Sequence, residues 1–180
     1  AKSEVATWPV FGYLARLQRS IFVDRERRQT TSQTAEEMIA RMREGEPVVL
    51  FAEGTSSDGN RTLRFRPALI GAAESLARAT GETVWIQPIA LAYRRISGLP
   101  SGRQHRPRVA WAGDIDLVPH AWALLKDGAV DVELIFGNPV PFDPNGDRKA
   151  IAQFLEQRVR GLHASALTGK DENLPPLAAL

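Results

Sequence analysis

Apolar residues recur along this chain at two spacings, and the order of those spacings outlines its elements. In "WPVFGYLARLQRSIF" (8–22), Val10, Leu14, Leu17 and Ile21 fall on one arc at ~100° per residue, with Arg16 and Arg19 opposite. That stripe predicts a helix. Its apolar side either packs on a core, the commoner fate of such helices, or lies in a bilayer surface with the arginines toward headgroups. "IFVDRERR" (21–28) reads as a short strand entering a charge cluster. "TAEEMIARMREGE" (34–46) predicts a helix opened by a capping box of Thr34 and Glu37 and stopped by Gly45. The continuously apolar "PVVLFA" (47–52) predicts a buried strand.

Beyond it, "RPALIGAAESLARATG" (66–81) predicts a helix with Pro67 in its first turn and Gly81 past its end. "TVWIQPIALAY" (83–93) reads as one strand with Pro88 at a bulge or edge. "RPRVAWAG" (106–113) and "AVDVELIFG" (129–137) complete the predicted strands, with a short helix, "PHAWALLKDG", between them. After "FDPNGD" comes a last helix whose Ile151, Phe154, Leu155, Val159 and Leu162 share a face. Alternation of strand and helix predicts one α/β domain, a mixed central sheet flanked by helices, over residues 1–167. The aperiodic end, residues 168–180, reads as a loose C-terminal tail.

Composition adds boundaries. With 180 residues the chain suits one domain with a sizeable core. A formal charge of +2 is too mild to point to nucleic acid, so local clustering carries more information than the total. The absence of cysteine excludes disulfides and thiolate metal sites. No apolar run approaches the ~18 residues of a membrane span.

The chemistry concentrates in "LFAEGTSSDGNRTLRFRPAL" (50–69), where an apolar run gives way to a carboxylate, a glycine, hydroxyls and arginines. A strand ending in glycine ahead of a helix is the layout that holds phosphate. The spacing here is neither that of a P-loop nor that of a dinucleotide fold, which disfavours nucleotides. Arg61, Arg64 and Arg66 form one guanidinium group, and Arg25, Arg27 and Arg28 a second. Such pairs of clusters could grip a phosphate or carboxylate, or could be a solvated surface. Glu53 could orient a donor or brace an arginine, or simply face water. His105, His120 and His163 show no metal-ligand spacing and no aspartate five residues on, and read as surface or packed residues. No nucleophile elbow supports a serine triad.

Taken together, "SIFVDR" (20–25), "FAEGTSS" (51–57) with "LRFR" (63–66), and "VWIQPI" (84–89) resemble three ordered blocks of the glycerolipid acyltransferases. That family is typified by 1-acyl-glycerol-3-phosphate acyltransferase. The resemblance implies transfer of a fatty acyl group from acyl carrier protein or coenzyme A to a lysophospholipid, in the first place 1-acyl-sn-glycerol-3-phosphate. It implies no metal or prosthetic group, a membrane-surface partner, and a location at the cytoplasmic face of the membrane. By the same resemblance Arg25 would contact the acceptor's acidic head, Glu53 and Gly54 would shape the acceptor pocket, Thr55 would stand at its rim, Arg66 would face the head group, and Pro88 would shape the acyl-pocket strand.

Three departures qualify this. Ala52 stands where the family has proline, and Ser56 where it usually has arginine, which removes one anion contact. Arg61 or Arg64 could compensate, or the acceptor could be a lyso-ornithine lipid, whose acidic group is a carboxylate. The family's His-x-x-x-x-Asp block, whose histidine is the general base, has no counterpart in these residues and is expected upstream of Ala1. A catalytically inactive lipid- or anion-binding module is the remaining alternative.

Overall fold

Pro88 does more than mark a bulge: it divides what the pattern reads as one strand into two that serve different sheets. In the computed structural model, which describes residues 3–22, 28–113 and 115–169, β1 (Val84–Ile86) and β2 (Ile89–Ile96) flank it. Proline lacks the N–H that a continuous ladder would need, so pairing resumes with a new partner. β1 pairs antiparallel with β5 (Val140–Phe142), Val84 opposite Phe142 and Ile86 opposite Val140. β2 lies between β3 (Leu99–Pro100) and β4 (Val130–Phe136), also antiparallel, with a register shift between Tyr93 and Arg95.

The helices are α1 (Phe11–Leu17), α2 (Arg28–Arg43), α3 (Gly71–Thr80), α4 (Leu117–Asp127) and α5 (Arg148–Thr168). Helix and sheet are thus mixed, as the α/β reading anticipates, with the strands in two small antiparallel sheets. Pro67 opens a short 3-10 turn that leads into α3, and Gly81, in the left-handed region at φ 71, closes it as expected. Asp147 caps α5 by accepting the Lys149 N–H at 2.8 Å. Ile70, Ala77, Val140, Phe142, Ile151, Ala152 and Leu155 form the core where α3, β5 and α5 meet. Ala90 and Ala92, 1% and 0% exposed, let α5 lie close on one face of β2.

Several expectations are corrected. α2 begins at Arg28, six residues ahead of the anticipated capping box, so Thr34 lies inside the helix. "PVVLFA" forms no strand, and Val49 and Phe51 are 76% and 78% exposed. An apolar run becomes a strand only where a neighbour completes its hydrogen bonds, and here the described backbone bonds reach only its end, from Gly54 to Phe51 and from Arg66 to Ala52. "RPRVAWAG" holds a 3-10 turn, Arg106–Arg108, rather than a strand, its proline having removed a ladder donor. α1 spans seven residues and leaves Val10, Leu14 and Leu17 about half or more exposed, so its stripe does not enter the core. The strand expected at 21–28 falls largely outside the described residues, as does the tail from residue 170.

Among the described residues, none of the helices covers the opposite face of the larger sheet as α5 covers the first. Ile89, Leu91, Val132, Leu134 and Phe136 pair across β2 and β4 and are 38–59% exposed, on a face where an antiparallel sheet in water usually turns polar.

Candidate functional site

The 53–66 segment is a loop drawn closed at its base. The Arg66 N–H donates to the Ala52 carbonyl at 2.9 Å, and the Leu63 N–H donates to the Glu53 carboxylate. These links set residues 52–54 beside 63–66, with the hydroxyl-rich tip between them. Within the tip, Asp58 Oδ1 accepts the Asn60 N–H at 3.0 Å, a local turn that makes Asp58 more acidic than usual.

Gly54 sits at the crossing. Its φ of +69° lies in the left-handed region, and a methyl added there would come within 3.1 Å of Arg66 Cδ and Nε. Glycine is therefore required twice, for the turn and for the guanidinium arm lying over it. Glu53 is half-buried, and burial raises its carboxyl above the ordinary 4.5. The Leu63 N–H opposes that rise, while the nearby Glu156 carboxylate adds to it.

Glu156, on α5, ties the loop to the helix. Its Oε2 accepts the Phe65 N–H at 3.0 Å and its Oε1 accepts Arg160 Nη2 at 2.6 Å. A carboxylate using both oxygens in this way fixes the loop's outgoing arm against α5.

Of the residues singled out in sequence, Glu53, Gly54 and Arg66 are brought together at the loop base. Thr55 and Ser56 are exposed beside them. Arg25 and Arg27 lie outside the described residues, and so does the side chain of Arg28. Pro88 stands between the two sheets, its carbonyl accepting the Gly137 N–H at 2.8 Å. Arg61 and Arg64 instead line a cavity with Arg106 and Arg160, which motif reading passes over, and with His163, which it reads as a surface or packed residue. The helical spacing of Glu156, Arg160 and His163 could have revealed one polar face on α5, whereas Arg106 lay in a segment read as a strand. His163 is packed, 7% exposed, and its desolvation and the Arg106 charge hold its pKa below the ordinary histidine value against a hydrogen bond to the Gly59 carbonyl.

Among the described residues no group of His, Asp and Glu could hold a metal ion, and no helix is long and apolar enough to cross a membrane.

The acyltransferase family model matches residues 1–92, which include this loop and both of its anchoring arms. The chain belongs to the glycerolipid acyltransferase family. The acyltransferase chain is 51% identical, over 172 residues, to a lyso-ornithine lipid O-acyltransferase of Brucella abortus (strain 2308), covering 95% of this chain and 64% of that protein. A protein of the same description in Rhizobium meliloti (strain 1021) is 45% identical over 174 residues, 96% of this chain and 60% of the relative. A 1-acyl-sn-glycerol-3-phosphate acyltransferase of Neisseria gonorrhoeae is 24% identical over 164 residues, 91% and 60%. The acyltransferase chain thus spans a little under two thirds of the curated relatives it matches. No solved structure matches it.

Proposed function

We propose that the complete protein transfers a fatty acyl group from a thioester donor, acyl carrier protein or coenzyme A, to the hydroxyl of a lyso-ornithine lipid at a membrane surface. The observation that carries this reading is the pair of relatives so described, 51% and 45% identical over nearly the whole chain, against 24% for the glycerol-3-phosphate type. The weight moves accordingly from 1-acyl-sn-glycerol-3-phosphate, the acceptor expected first, to the ornithine-type acceptor. Ser56 supports the same choice. An ornithine head balances one carboxylate with one ammonium and needs fewer cations than a phosphate monoester, so the missing arginine costs it less.

In this reading Arg66, and Arg25 from the second block, hold the acceptor carboxylate. Gly54 lets the Arg66 arm lie flat on the chain, Glu53 keeps the loop base closed, and Thr55 stands at the rim. The thioester brings its own leaving group, so the protein's task is orientation, stabilisation of the oxyanion and removal of the hydroxyl proton. That last role belongs to the His-x-x-x-x-Asp block the family implies, outside residues 1–180. No metal or prosthetic group is invoked. The location we propose is peripheral, at the cytoplasmic membrane face.

An acceptor panel tests the assignment. With an acyl carrier protein thioester, the complete protein is expected to acylate lyso-ornithine lipid at least tenfold faster than 1-acyl-glycerol-3-phosphate, as about 1.4 kcal/mol of discrimination would give. The reverse preference would return the acceptor to the phosphate type, and transfer to neither lipid would overturn the acyl-transfer reading.

A further inference from the structure

The cavity between α5 and the 60–64 segment has a volume of about 760 Å³ and is lined by Arg61, Arg64, Arg106, Arg160 and His163. Four arginines line one space, and no carboxylate residue is among its lining residues. Only one of them is balanced by a described ion pair: Arg160 meets Glu156 at 2.6 Å. The Asn60 hydrogen bonds lower the Asp58 pKa most, burial opposes them, and the Arg61 charge lowers it by a smaller amount. Arg106 is the least satisfied. One of its terminal nitrogens donates to Asn60 Oδ1 at 3.1 Å, while its Nε is buried with no hydrogen-bond partner.

A buried N–H left unpaired is costly, so the Arg106 side chain is held in the cavity wall below its bonding capacity. His163 supplies a fixed polar wall, being 7% exposed and held by the Gly59 carbonyl. The cavity adjoins the loop base through Leu63 and Arg64, which line it, but Arg66, over Gly54, and Glu53 do not. Glu156 has both oxygens engaged, by the Phe65 N–H and Arg160.

We propose that this cavity is a second anion site of the protein, one that takes a phosphate ester rather than the acceptor's head group. Charge makes the distinction. Guanidinium forks meet phosphate oxygens in bidentate fashion, and several can share one dianion. An ornithine head would bring an ammonium group among four arginines, and like charges repel. The neighbouring carboxylates, Glu156 and Asp58, are already engaged by Arg160 and Asn60. The volume exceeds that of a bare phosphate ion and leaves room for the organic group it esterifies. Two sources carry this chemistry: the phosphopantetheine arm common to both thioester donors, and the head of an acidic phospholipid. The donor source rests on the acyl-transfer reading above; the phosphate-ester site does not.

Binding to the 180-residue chain, followed by titration calorimetry, tests the site without turnover. 4′-Phosphopantetheine is expected to bind and pantetheine, which lacks the phosphate, to bind at least about tenfold more weakly, the difference a charge-assisted contact supplies. Arg106→Gln and, separately, the exposed Arg64→Gln should each weaken 4′-phosphopantetheine about tenfold while far-ultraviolet circular dichroism stays unchanged. Binding of dihexanoyl phosphatidate with the same arginine dependence, and none of 4′-phosphopantetheine, would support the site and assign it to a lipid. Equal binding of pantetheine and its phosphate, or indifference to both substitutions in folded protein, would overturn the proposal. So would displacement of the phosphate ester by an N-acyl ornithine competing for the same arginines. Failure of acyl transfer in the complete protein, with phosphate-ester binding intact, would count against the enzymatic reading and not against the cavity.

Discussion

Glu53 is held at the loop base in an environment that resists its charge. Burial raises its carboxyl and the Glu156 carboxylate adds to the rise, with only the Leu63 N–H working the other way. A carboxyl raised in the folded state favours folding most below its ordinary 4.5, and that contribution is lost as pH climbs through the raised value. At neutral pH the ionised side chain is therefore kept at some cost to the fold, a pattern that marks sites retained for chemistry or binding. Glu53→Gln can still accept the Leu63 N–H and should melt no lower than the parent at pH 7, with a flatter stability profile between pH 4.5 and 7. In the complete protein the same substitution should cut acyl transfer at least about tenfold, the scale of one lost charged contact. Scanning calorimetry beside a turnover assay checks both. A lower melting temperature with undiminished turnover would leave Glu53 a structural brace.

At the scale of elements, legibility followed whether a segment's partners were near in sequence. α3, with Pro67 before it and Gly81 after it, is specified by its own punctuation and was readable. α5 likewise declared itself through the shared face of Ile151 and Leu155, both buried, after "FDPNGD". Strands are different, because their identity rests on pairing. "PVVLFA" has a strand's composition and, among the described residues, no strand to pair with, whereas β5, three residues around Pro141, has little composition and a good partner in β1. The 53–66 loop was legible as chemistry because its turn residues and charges are contiguous. The arginine cavity was not, because Arg106, Arg160 and His163 come from a turn and a helix far along the chain.

α1 is an element whose pattern was right and whose environment was not. Its apolar stripe exists, yet Val10, Tyr13, Leu14 and Leu17 are 48–64% exposed. Such a stripe beside Arg16 and Arg19 fits the interfacial reading, in which apolar side chains enter the headgroup boundary. Leu14→Gln with Leu17→Gln should reduce flotation with anionic liposomes by about tenfold or more, since each buried leucine contributes about 1.5–3 kcal/mol. Unchanged flotation would remove α1 from membrane contact.

Across the whole molecule, the side chains of one sheet divide between two fates. Ala90 and Ala92 seat α5, while Ile89, Leu91, Val132, Leu134 and Phe136 face outward. A contiguous apolar patch of this kind is a liability in water whatever its role in the cell. The 180-residue chain should bind the dye ANS in the folded state, and Leu134→Lys with Phe136→Lys should lower that signal at unchanged ellipticity. Folded protein that binds no dye would show the face to be shielded. Solution handling follows from the same five side chains. Apolar attraction weakens on cooling and strengthens when sulfate is excluded from protein surfaces, so clouding of the preparation should advance with warmth and with ammonium sulfate. Cold, low-sulfate buffer then becomes the condition under which this domain stays dispersed.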